Sequence, residues 1–111
     1  MKLPNGHLAE LGIKIEEYCL NPDHRKGQHK ARLFQSKLGI NRNNASILKQ
    51  ALRKAAIQES VTLRKQDEHG CHYTMKFWLK TTIGESLILV GWIVRHGEEF
   101  PRLTSCYPVE K

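Results

Sequence analysis

Two short stretches concentrate side chains that can handle a phosphate. The first, DHRKGQHKARLF, places His24, Gly27, His29 and Lys30 at the start of an apolar-periodic segment. A histidine titrates near neutral pH and serves as acid or base, and a neighbouring lysine favours its neutral, proton-accepting form. Gly27 permits an unusual backbone at a helix start, where free amides attract an anion. The second stretch, FPRLTSCYPV, reads as a strand with Leu103, Tyr107 and Val109 on one face and Arg102, Thr104 and Cys106 on the other. Arg102 and Thr104 then sit side by side, roughly 7 Å apart along that face. A guanidinium grips two nonbridging phosphate oxygens in bidentate fashion and a hydroxyl takes a third. His24 or His29 with Lys30, Arg102 and Thr104 therefore supply the parts of a phosphodiester-cleaving site. Each part also has a plain structural use: a basic helix start set against the helix dipole, and a strand residue chosen for β-propensity beside a surface ion pair.

The elements that must bring these stretches together follow from periodicity. In IKIEEYCLNP, Ile13, Ile15, Tyr18, Cys19 and Leu20 predict a short helix stopped by Asn21-Pro22. Ala31, Phe34 and Leu38 recur at helical spacing from Gln28, and Gly39 supplies the C-cap. A third helix is predicted from an Asn cap at Asn43 or Asn44 to Gln58, with Ile47, Leu48, Ala51, Leu52 and Ala55 as its buried stripe. The period then changes to two. Tyr73, Met75, Phe77 and Leu79 alternate with Thr74, Lys76, Trp78 and Lys80, and SLILVGWIVR reads as a central strand, apolar on both faces. The expectation is a single α+β domain over residues 1–111, with a helical part at about 8–58 and a β-meander at about 60–110. Two to three N-terminal helices pack on one face of an antiparallel sheet of about four strands.

On that plan Lys76, Trp78 and Lys80 project from the sheet face away from the helices. A tryptophan between two lysines stacks on a base while the ammonium groups meet phosphate; the alternative is an exposed strand with solubilising lysines. HGCH, residues 69–72, gathers His69, Cys71 and His72. No CxxC pair completes a four-ligand zinc site, so the stretch reads as a polar turn and no metal is assigned. Cys106 reads as a small, partly buried residue rather than a nucleophile.

Charge narrows the partners. Lys and Arg number 18 against 11 Asp and Glu, a formal charge of +7 that implies a polyanionic or acidic partner. Three scattered cysteines argue against a disulfide framework, and the start MKLPNGHLAEL has no apolar core of signal-peptide length, so the setting reads as reducing and cytoplasmic. The longest apolar run, Leu87 to Val94, is too short to span a bilayer.

YCLNPDHRKGQHKARLF, GWIVR and FPRLTSCYPV together resemble an uncharacterised bacterial domain family with the pattern LNPxHxxGxxKAxxF, a WIVR-like strand and RLTSxYP. Related domains occur as C-terminal toxin modules and as small stand-alone proteins. The layout is also similar to the nuclease superfamily of barnase, EndoU, colicin and RelE types. The resemblance implies a metal-independent endoribonuclease toxin of a toxin–antitoxin pair, with RNA as substrate, no cofactor, and an acidic antitoxin or immunity-type protein as partner. Carried over by position, His24, Gly27 and Lys30 match the first block, and Arg102, Thr104 and Tyr107 the last. His29 and Ser105 are local additions. On this expectation Lys76, Trp78, Lys80, Ser105 and Tyr107 contact substrate around the catalytic His24, His29, Lys30, Arg102 and Thr104. The alternative is a noncatalytic basic module that binds nucleic acid or an acidic protein.

Overall fold

Residues 1–109 are described by a computed structural model of the chain, and position 110, at the end of the expected meander, lies outside them. Helix α1 spans Gln28–Leu38 and ends where Gly39 turns left-handed at φ 66°. Helix α2 spans Ala45–Gln58 and follows a capping box in which Asn41 and Asn44 exchange side-chain and backbone hydrogen bonds. Its buried stripe is Ala45, Leu48, Leu52, Ala55 and Ala56. Ile47 was expected in that stripe but is 41% exposed, because the apolar arc of α2 is turned so that this position faces out. The segment expected as a first helix is a single π-turn, Ile15–Cys19, whose Ile15 and Cys19 are buried while Ile13 is exposed.

Four strands, β1 (Thr62–Asp67), β2 (Gly70–Lys80), β3 (Glu85–Arg95) and β4 (Arg102–Val109), form one antiparallel meander in sequence order. The helices precede the sheet in the chain, so the domain is α+β. Tyr73, Met75, Phe77 and Leu79 of β2 are buried and Lys76, Trp78 and Lys80 exposed, the alternation read from the sequence. Phe34, Leu38, Leu48, Leu52, Ile88, Val90, Trp92 and Cys106 belong to one hydrophobic cluster between the layers. Within it the Trp92 indole N–H has no hydrogen-bond partner among the described residues, which costs about 1–3 kcal/mol. β1 went unread as a separate strand because Thr62–Gln66 are exposed throughout and show no apolar alternation.

β4 departs from the expected face assignment. Gly91 pairs with Ser105 but Trp92 pairs with Leu103, so Thr104 is the extra residue of a β-bulge. The bulge reverses the alternation. Leu103, Cys106 and Pro108 are buried together, and Ser105, opposite Gly91, takes the outer face. Arg102, opposite Ile93, lies on that outer face too, so Cys106 does not share a face with Arg102. Gly91 leaves room for the hydroxyls of β4: a Cβ would lie 2.7 Å from Thr104 Oγ1 and 3.2 Å from Ser105 Oγ.

The N-terminal segment completes the sheet end. Glu10 forms a parallel bridge with Arg102, with Glu10 N–H donating to the Pro101 carbonyl (2.8 Å) and Leu103 N–H donating to the Glu10 carbonyl (2.9 Å). This draws residues 10–14 against the start of β4.

Candidate functional site

The loop before α1 is organised by His24. Its Nδ1 accepts the backbone N–H groups of Lys26 and Gly27, both at 3.0 Å, while its carbonyl accepts Gln28 N–H at 2.9 Å. Of the amides expected to attract an anion, those of Lys26 and Gly27 are therefore already bonded to a side chain and that of Gln28 to a carbonyl. Two donors on Nδ1 put the proton of the neutral ring on Nε2. In this arrangement the accepting nitrogen of His24 is turned to the backbone and the Nε2–H is the group it offers as a donor.

Gly27 has an ordinary helical φ of −92°, contrary to the expectation of an unusual backbone. It is glycine for lack of room: a Cβ would lie 2.2 Å from the Tyr18 carbonyl oxygen. This contact seats the π-turn on the start of α1 and brings Tyr18 to the site. The Tyr18 ring meets the His24 ring edge-on, with centroids 4.8 Å apart. Lys30 donates from Nζ to the Tyr18 hydroxyl, and its ammonium lies 4.4 Å from the Tyr18 ring centroid and 5.1 Å from that of Tyr107. Lys14 Nζ is 5.6 Å from the same Tyr18 ring. Lys30 is thus half-buried as the tie between the π-turn and β4.

Two open hollows meet beside these residues. One, about 510 Å³, is lined by Lys14, Tyr18, His24, Arg25, Lys26 and Thr104. The other, about 480 Å³, is lined by Glu10, Leu11, Gly12, Ile13, Lys14, His69, Ile93, Arg95, Arg102, Leu103 and Thr104. Lys14 and Thr104 wall both, so the two read as lobes of one groove across the sheet end. Among the described residues no ion pair engages Lys14, Arg25, Lys26 or Arg95. Arg102 is engaged: its Nε and Nη2 donate to the two Glu98 oxygens at 2.9 and 2.8 Å, and it lies 4.9 Å over the Phe100 ring. The Arg102 hydrogen bond holds the Glu98 carboxyl below the usual carboxylate range against the opposing effect of desolvation. A depressed pKa means the pair persists above that range and is lost only as pH falls through the lowered value.

Of the residues singled out in the sequence, the groove gathers His24, Arg102 and Thr104. Lys30 and Tyr107 lie behind Tyr18, and His29 is exposed on α1 and walls neither lobe. Ser105 is half-buried on the outer face. Lys76, Trp78 and Lys80 lie on the outer face toward the far end of β2, with Lys76 roughly 14 Å along the strand from His72. Sequence reasoning missed Glu10, Lys14, Tyr18, His69 and Arg95. Tyr18 and Arg95 stood inside quoted family motifs and His69 inside HGCH without being given a site role, whereas Glu10 and Lys14 carry no local signal; topology collects all five.

At the hairpin between β1 and β2, Asp67 Oδ1 accepts the N–H groups of His69 and Gly70, and its carboxylate faces His72 Nε2 at 3.1 Å. Desolvation opposes ionisation of Asp67, but these bonds outweigh it and its pKa is lowered. The Asp67 carbonyl accepts from His96 Nε2 at 2.7 Å. The HGCH stretch thus begins as a turn and continues as strand β2. No cluster of three or more His, Cys, Asp or Glu suited to a metal occurs among the described residues. No helix is long and apolar enough to cross a membrane among them either.

A family model described as a domain of unknown function, DUF6883, matches residues 2–110. The chain belongs to the DUF6883 family. No curated protein and no solved structure matches it. For this DUF6883 domain, function therefore rests on the groove itself.

Proposed function

We propose that the domain is a metal-independent endoribonuclease of toxin type that draws single-stranded RNA across the sheet end. One observation carries the reading: the two lobes collect Lys14, Arg25, Lys26, Arg95 and Arg102 around Thr104, with one carboxylate, Glu10, in the walls. Arg102 is paired with Glu98, but Lys14, Arg25, Lys26 and Arg95 have no ion-pair partner among the described residues, and a groove walled by such cations suits a chain of phosphates.

The lobe of Glu10 and His69 carries the chemistry. Glu10 Oε1 accepts Gly12 N–H at 2.8 Å, which leaves Oε2 to take the proton of the ribose 2′-OH. The 2′-oxygen attacks the adjacent phosphorus and the bond to the 5′-oxygen breaks. His69 is the proton donor to that leaving oxygen. Arg102 and Lys14 stabilise the pentavalent dianion, Thr104 holds a nonbridging oxygen, and neutral His24 donates from Nε2 to a phosphate in the second lobe. The nucleophile belongs to the substrate, so this scheme requires no metal. An acidic antitoxin-type partner would cover the same cations.

The Glu98–Arg102 pair favours a second reading, noncatalytic binding, because it occupies the guanidinium. Incubating the protein with unstructured RNA in EDTA separates the two. Cleavage to 2′,3′-cyclic phosphate ends supports the enzyme, and salt-dependent binding without cleavage supports the module.

Two further results are expected. Glu98→Gln should tighten RNA binding by roughly threefold to tenfold in anisotropy titrations, since a competing charge on Arg102 is removed. Weaker binding would take Arg102 out of the phosphate contacts. Lys76→Glu with Lys80→Glu should reduce the salt slope of binding by about two charges' worth if the RNA continues along the outer face. An unchanged slope confines the RNA to the groove.

A further inference from the structure

Cys19 and Cys106 are fully buried, and the Cys106 thiol donates to Cys19 Sγ at 3.4 Å. They come from opposite ends of the chain and sit on the two elements that carry Tyr18 and Tyr107. We infer that Cys19 and Cys106 are a reversible oxidation site, closing to an intramolecular disulfide that fastens the π-turn to β4. A bond at about 2.05 Å requires the sulfurs to approach by little more than 1 Å. The elements that must give are a five-residue turn and a strand at the edge of the sheet.

The environment assigns the roles. The Cys106 hydrogen bond favours the Cys19 thiolate and, with the charge of Lys30, outweighs burial, while Cys106 is pushed well up by that same bond and by burial. Cys19 is therefore the attacking sulfur. With a peroxide as oxidant, the Cys19 thiolate attacks one peroxide oxygen, releasing water after proton uptake and leaving a sulfenic acid. The Cys106 thiol, losing its proton, attacks the Cys19 sulfur and expels the second oxygen as water. Two thiols are oxidised and one peroxide is reduced to two waters. A dithiol reductant reverses the step.

Cys71 serves as an internal control, being half-buried on β2 with Gln66 as its neighbour. The reduced wild-type protein should be treated with hydrogen peroxide, unfolded in denaturant, alkylated and digested. The expected product is one cross-linked peptide pair containing Cys19 and Cys106, lighter by two hydrogen atoms, with Cys71 alkylated. Oxidised protein should melt roughly 5–15 °C higher than reduced protein, because the bond closes a loop of most of the chain, and dithiothreitol should erase the gain. Cys19→Ala should show neither change. Full alkylation of both cysteines after peroxide, or oxidation confined to Cys71, overturns the inference.

Discussion

Glu10→Gln should lower kcat on RNA by about 10²–10⁴-fold while leaving affinity unchanged or slightly improved. Glutamine keeps an oxygen for the Gly12 N–H and preserves the side chain's length, so only the proton acceptor is lost. The backbone of Glu10 is fixed independently by its bonds to Pro101 and Leu103, and folding should be indifferent to the change. Single-turnover cleavage beside equilibrium binding makes the measurement. An active Glu10→Gln enzyme would move the base out of this lobe. A loss confined to binding would give Glu10 a structural part instead. Lys30 is bonded to Tyr18 and lines neither lobe, whereas Arg102 is assigned to the phosphate, so Lys30→Ala and Arg102→Ala should combine additively rather than fail as one unit.

Gly27→Ala should destabilise the domain by about 2–4 kcal/mol. The added methyl would sit 2.2 Å from the Tyr18 carbonyl oxygen and 3.1 Å from Tyr18 Cδ1. Backbone on both sides cannot rotate away as a side-chain tip can. The π-turn must lift from α1 and carry Tyr18 out of the groove. Urea unfolding should show the loss, and the variant's RNA affinity should fall with it. Gly12→Ala is the comparison. Nothing lies within 4 Å there, and its φ of +57° should cost only about 1 kcal/mol. Equal stability of Gly27→Ala and the wild type would mean that the turn and helix are loosely seated.

Periodicity made the β2 strand legible, since one face of it is buried and the other wet, and α1 was legible from Ala31, Phe34 and Leu38 with its terminal Gly39. β4 was legible as a strand over RLTSCYPV, but its faces were not, because a bulge at Thr104 leaves no trace in a count of alternating residues. The reason lies on the neighbouring strand, where Gly91 makes room for two hydroxyls. For the site, His24 was visible as a chemical group, but its two backbone donors depend on a loop conformation that Asn21-Pro22 only hints at. In the sequence Glu10 was an ordinary surface residue, His69 part of a polar turn and Arg95 the end of a strand motif. Distant segments make them neighbours, which a one-dimensional reading does not register.

The parallel bridge between Glu10 and Arg102 also has a temporal meaning. Its two sides are separated by almost the entire chain, a contact of very high sequence separation, and such contacts form slowly because loop closure precedes any gain from the contact. A ribosome adding about 5–20 residues per second takes on the order of ten seconds to travel from one side to the other. During that interval the basic N-terminal portion exists without the strand that gives it a second wall. A fragment ending before β4 lacks Arg102 and Thr104, the guanidinium and hydroxyl that the proposed scheme places on the phosphate. On that proposal, cleavage waits until β4 has been made and docked.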